Sequence, residues 1–399
     1  MNRKQLLILL AIAVVLGFAG LKFYRGDRSS WTGGGASMGQ KPLASLPVND
    51  IASISITAGS NSLVLAKTDG LWRVQQRSGY PANFADLSAL LIKLPDLKAV
   101  QVEEVGPSQL FRFGLLPPGT GSNTATLVEF KDAAGKAVGS LLLGKQHMRK
   151  GGGRPSPMGD MDDAGFPDGR YLQTPGAKTV ALVSETFQNV EPAAERWLNK
   201  DFFKVEKPKS IAVTFPEATN SWKLTRETEA GEWKLADVKP GEQLDVSKVS
   251  GVSSPLSYPS FNDVLPLDTK VATGLDHAKT LTVETFDGFT YTAKVGDKTN
   301  ENLYLTLTLT ADLPKERTPG KDEKPEDKAK LDKEFADRQK PLQEKLTKEQ
   351  PATKWIYLVP GYTVENLLKP RKELLTEAKP EAPAATPPPD SIAAPPTGK

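Results

Sequence analysis

Apolar and polar residues alternate through much of the middle of the chain, and the alternation comes in two sets. The first set is Ser53-Ile54-Ser55-Ile56-Thr57, then Ser62-Leu63-Val64-Leu65-Ala66, then Gly70-Leu71-Trp72-Arg73-Val74. The second is Ser210-Ile211-Ala212-Val213-Thr214, then Ser221-Trp222-Lys223-Leu224-Thr225, then Gly231-Glu232-Trp233-Lys234-Leu235. A period of two predicts short strands with one face inward, and a Gly-x-Trp turn leads into the third strand of each set. Phe84, Leu87, Leu90 and Leu91 then fall at helical spacing within Asn83 to Leu94, and Val246 and Val249 mark a shorter helix over Asp245 to Ser250.

The parallel continues along the chain. Phe113-Gly114-Leu115 corresponds to Thr273-Gly274-Leu275, and strand pairs ending in Leu143-Gly144 and Val295-Gly296 follow. Arg170-Tyr171-Leu172 corresponds to Asn302-Leu303-Tyr304-Leu305, and Thr179 to Val183 to Trp355 to Val359. Helical ends are predicted over Glu185 to Leu198 and Val364 to Leu375. The expected fold is α+β but mainly β: two tandem repeats of short antiparallel strands with one or two helices each, after a single N-terminal transmembrane helix. Trp72, Trp233, Gly114 and Gly274 are the repeat markers. The expected division is an anchor over 1–25, a linker over 26–45, repeats over 46–205 and 206–376, and a Pro/Ala-rich tail over 377–399 that composition predicts to be disordered.

Each repeat carries its own insertion. Residues 147–169 are rich in glycine, proline and aspartate and read as a loop, whereas 312–353 is densely charged. Within the latter, Leu331, Phe335, Leu342 and Leu346 share one helical face, which Pro341 is expected to break or kink. So few apolar residues cannot form a core of their own. They either lie back on the parent domain or dock on a partner helix.

From Leu6 to Leu21 every residue is apolar or glycine, flanked by Arg3 and Lys4 and by Lys22, Phe23, Tyr24 and Arg25. Counted to Tyr24 the run is about 19 residues, roughly 28 Å of helix, enough to span a bilayer. A cleaved signal peptide is the alternative, with a small-x-small site at Gly17, Phe18 and Ala19. Basic residues are nearly balanced across the run, so charge alone does not orient it.

Composition narrows the chemistry. Among 399 residues there is no cysteine, which removes disulfides, thiolate zinc sites and a cysteine nucleophile. A net charge of +3 gives no reason to expect a nucleic-acid partner. The two histidines, His147 and His277, stand in non-equivalent places and support neither a triad nor a metal site. The acidic run Asp160-Met161-Asp162-Asp163-Ala164-Gly165-Phe166-Pro167-Asp168 resembles a calcium loop only in part, because Ala164 holds a ligand position and Tyr171 stands in place of the bidentate glutamate. Gly151-Gly152-Gly153-Arg154 lacks the lysine and hydroxyl of a phosphate loop. No catalytic, cofactor or metal residue is assigned, and no enzymatic activity is expected. Trp72 and Trp233 could stack on a sugar, but core packing explains their placement more simply.

With Gly70-Leu71-Trp72, a following helix, Phe113-Gly114-Leu115 and Leu142-Leu143-Gly144, the chain resembles the bacterial family called domain of unknown function 4340, in two copies. The resemblance is looser in the second copy, where Thr273 replaces the aromatic. It implies a single-pass protein of the cytoplasmic membrane, its soluble region in the periplasm. It implies an accessory role beside ABC transporter subunits or other envelope proteins, of the kind that includes auxiliary components of gliding motility. The alternatives are a cell-wall or polysaccharide-binding module, a hydrolase with an unrecognised site, and secretion after signal cleavage.

Overall fold

A computed structural model describes residues 39–149, 165–319 and 323–376. The chain is mainly β, with two antiparallel sheets and few helices. It divides into two compact units between Asp201 and Phe202, with the short segment Asp263–Pro266 grouped with the first. The expected anchor over 1–25 and the expected disordered tail over 377–399 lie outside the described residues.

The first unit contains β1 (Ser53–Ala58), β2 (Asn61–Thr68), β3 (Leu71–Val74), β4 (Tyr80–Pro81), β5 (Ala99–Glu104), β6 (Thr126–Lys131), β7 (Ala137–Arg149), β8 (Phe166–Gln173) and β9 (Thr179–Val183). Their order is β4-β3-β2-β1-β6-β7-β8-β9-β5. Alternation gives the sheet its buried face: Ile54, Ile56, Leu63, Leu65, Val74, Val128 and Phe130 are all inaccessible or nearly so. Helix α1 (Phe84–Asp96) starts at Asn83, whose side chain accepts from the amides of Ala85 and Asp86, and it buries Leu87, Leu90, Leu91 and Leu94. A second cluster joins Val105, Phe113, Leu115, Ala125, Leu142 and Val180. Leu142 alternates with Leu141 and Leu143, so this part of the sheet is covered on both faces.

The Phe-Gly-Leu marker belongs to that cluster. Phe113 and Leu115 point into it, and Gly114 between them has φ of +65°, a left-handed conformation that favours glycine. A methyl group on Gly144 would run into the carbonyl oxygen of Phe113, so the two glycines let the backbones meet. In the second unit Gly274 also has φ of +65°, and a methyl on Gly296 would meet the carbonyl oxygen of Thr273.

The next strands along the chain are β10 (Pro208–Thr214), β11 (Trp222–Thr225), β12 (Lys234–Leu235), β13 (Asp263–Pro266), β14 (Lys279–Thr285), β15 (Phe289–Thr299), β16 (Asn302–Ala311) and β17 (Trp355–Pro360). Within the second unit the sheet order is β12-β11-β10-β14-β15-β16-β17. Its core is more aromatic: Phe202 packs on Phe203, Phe261 and Tyr357, and Phe203 stacks near Tyr291. Helices α2 (Val246–Val249) and α3 (Pro325–Glu349) complete it.

Several expectations need correction. Residues 39–45 are not a free linker, because Leu43 is buried and Gly39 and Gln40 exchange backbone hydrogen bonds with Ala99. The first insertion does not begin at His147: β7 runs to Arg149 and β8 starts at Phe166, with His147 paired to Gly169 and Met148 to Pro167. Neither helical end forms. The first holds a 3-10 turn over Ala194–Trp197, and the second holds a turn over 364–367 and a 3-10 turn over Arg371–Leu374. Pro192 and Pro370 interrupt them, and Phe187 has φ of +50°. Conversely, Pro341 does not break α3. It is exposed, so the carbonyl it leaves without an amide partner can face water.

Candidate functional site: the charged helix of the second unit

The residues singled out for docking, Leu331, Phe335, Leu342 and Leu346, lie on α3, a helix of 25 residues and about 37 Å. Local chemistry favours the helix. Pro325 sits in the first turn, Glu326 and Asp327 face the positive end of the dipole, and Lys348 lies in the last turn. All four apolar side chains are half-buried and, with Gln339 and Lys345, they form one stripe. Apart from buried Glu349, the other side chains from Glu326 to Lys348 are exposed and mostly charged, as expected of a helix supported from one side.

The C-terminal end is tied to the sheet, and the N-terminal end is braced by the loop that precedes it. At the N-terminal end Arg317, whose side chain is largely buried, pairs with Glu323 and donates from Nε to Asp332 at 3.0 Å. These carboxylates hold its guanidinium above its ordinary value. At the C-terminal end Glu349, 7% exposed, accepts from the Tyr291 hydroxyl at 2.8 Å and from the Lys204 amide at 3.2 Å. Lys345, one turn earlier, approaches Glu349 at 3.4 Å and donates to the Lys204 carbonyl and to Glu206, each at 2.8 Å. Hydrogen bonds from Lys345 and then Lys204 pull the Glu206 carboxyl down to about 2. Burial, followed by the neighbouring Glu349, pushes the Tyr291 hydroxyl up. A buried carboxylate satisfied by three donors fixes where the helix leaves the sheet.

Glu349, Lys345, Tyr291 and Glu206 were not singled out in the sequence. Lys345 and Glu349 extend the Leu331-to-Leu346 stripe and could have been read from it. Their partners on β15 and before β10 could not, because the contacts are long-range.

The remaining candidates are dispersed. His147 Nδ1 lies 2.6 Å from Asp168 on the paired strand, beside the Tyr171 ring. His277 lies in the other unit, exposed between Asp276 and Asp297. Among the described residues no group of three His, Cys, Asp or Glu side chains could hold a metal ion, and the acidic residues Asp160–Asp163 lie outside them. Trp72 is buried, but Trp233 is not a core residue. It is half-buried just before β12, and the Arg226 guanidinium sits 4.7 Å from its ring. The buried counterpart is Trp222, which donates from its indole to the Lys369 carbonyl at 2.8 Å. Burial removes Trp72 as a stacking surface, and Trp233 shares its ring with Arg226. Among the described residues no helix is long and apolar enough to cross a membrane, and Leu6–Leu21 lies outside them. No family model, curated protein or solved structure matches the chain.

Proposed function

We propose that this protein is a membrane-anchored periplasmic accessory protein that presents α3 to a subunit of an ABC-type transporter or another envelope complex. The carrying observation is the construction of α3: a long, charged helix fastened to the sheet at its C-terminal end and braced by its own loop at the other, with Leu331, Phe335, Leu342 and Leu346 only half covered. A helix so fastened keeps its remaining apolar surface in one orientation, which lowers the ordering cost of docking a partner helix. Retention of Leu6–Leu21 as the anchor, with the folded region in the periplasm, is supported by the run's length and by the family resemblance.

We further infer that the two units are copies of one ancestral unit. The order β3-β2-β1-β6-β7-β8-β9 of the first has the same chain logic as β12-β11-β10-β14-β15-β16-β17 of the second. The Gly114–Gly144 and Gly274–Gly296 contacts recur at matching places. In this reading α3 is an elaboration of the second copy, which fits a role peculiar to that copy.

Purification of the full chain from mild detergent tests the proposal. The native protein should bring down a transporter or envelope-complex subunit in fixed proportion, and Phe335→Asp with Leu342→Asp should lose it while still folding. Equal recovery by that double variant would overturn the assignment of α3.

A further inference from the structure

A groove of about 750 Å³ in the first unit opens beside the β1–β2 turn and the loop Glu191–Glu195. Four charged side chains line it: Arg77, Arg170, Glu191 and Glu195. Three have opposite-charge partners. Arg77 forms a fork with Asp263 at 2.6 and 2.7 Å and lies 3.7 Å from Glu195, and Glu191 pairs with Arg196 at 3.6 Å. Arg170 is the exception. Its Nε and one terminal nitrogen donate to the carbonyl oxygens of Gly144 and Phe187, at 2.8 and 2.9 Å, and among the described residues no carboxylate lies within ion-pair distance. Burial lowers its affinity for its proton, opposed only by the more distant Glu191.

A half-buried guanidinium oriented by two carbonyls, with its nearest carboxylate Glu191 beyond ion-pair distance, is built to receive an anion. We propose that this groove binds a monocarboxylate with a neutral or cationic remainder, the chemistry of the carboxyl end of an amino acid or short peptide. Arg170 would hold the carboxylate, with the Asn61 amide and Ser62 hydroxyl of the β1–β2 turn as neutral donors. Glu191 and Glu195 set the charge limit. They repel a dianion such as phosphate and favour an ammonium on the same ligand. The groove volume lies in the range of small-molecule sites. Arg170 follows the sheet's own architecture: β8 carries it inward from the β7 ladder, whereas the matching stretch of β16 begins with Asn302.

Calorimetric titration of the full chain in mild detergent tests this with alanylalanine, its C-terminal amide and inorganic phosphate as probes. Saturable binding of alanylalanine at or below roughly 10 mM is expected, with the amide and phosphate at least about tenfold weaker. Asn61→Asp sets a negative charge at the exposed turn, away from the core. It should weaken the dipeptide about tenfold or more with an unchanged melting temperature. Arg170→Lys should weaken it as well, but this variant also loses a structural fork, so Asn61→Asp carries the test. No binding in this range, equal affinity for the amide, or indifference to Asn61→Asp would each overturn the proposal.

Discussion

At the scale of single residues, the repeated glycines are the most informative positions. Gly144 and Gly296 sit where a methyl group would collide with the carbonyl oxygens of Phe113 and Thr273. Gly144→Ala should therefore destabilise the first unit by about 1–3 kcal/mol, the cost of forcing a well-packed site apart. Urea unfolding would measure it, and a change below half a kcal/mol would contradict the close approach. These markers were legible in the sequence as Phe-Gly-Leu and Leu-Gly, because close backbone contact and left-handed φ leave glycine as the residue of choice. Trp233 was misread for the opposite reason. A Gly-x-Trp spacing fixes the start of a strand but not which side of it the ring takes, and Arg226 holds the ring at the surface.

At the scale of elements, alternation carried the strands, since Ile54 and Ile56, or Leu281 and Val283, are buried at the period the pattern demands. The false helices share a cause. Phe187, Val190, Ala194, Trp197 and Leu198 are all buried at intervals of one to four, which imitates a helical stripe, yet the backbone turns irregularly around Pro192. Helix α3 errs the other way, running through Pro341. Pro341→Ala should restore one backbone hydrogen bond and slow amide exchange in the turns around it. The stabilisation should reach at most about 3 kcal/mol, and faster exchange would contradict the continuous helix.

The base of α3 also carries a pH signature. Glu206 has its folded-state value lowered from 4.5 to about 2, chiefly by Lys345. A lowered value means that the stabilisation is complete above 4.5 and is lost as pH falls toward about 2. Native protein should therefore exceed Glu206→Gln in stability above that window, and the gap should close within it. A gap that stays constant with pH would show that the Lys345 and Lys204 contacts do not form. None of this was readable from the chain, because Lys345, Glu206 and Tyr291 meet only after the sheet and α3 have been assembled.

At the scale of the whole molecule, two antiparallel sheets follow similar chain logic but carry different additions: a β7–β8 hairpin extension and the Arg170 groove on the first, α3 on the second. The assignment of partner docking to α3 is tested most directly by site-specific photo-crosslinking in living cells, with the photoreactive residue placed at Phe335 or Leu342 and, as a control, at exposed Lys330 on the charged surface. The proposed role requires that Phe335 and Leu342 crosslink to one transporter or envelope-complex subunit and that Lys330 crosslinks much less. Crosslinks from all three in equal yield, or from none while the protein is folded and membrane-bound, would contradict it.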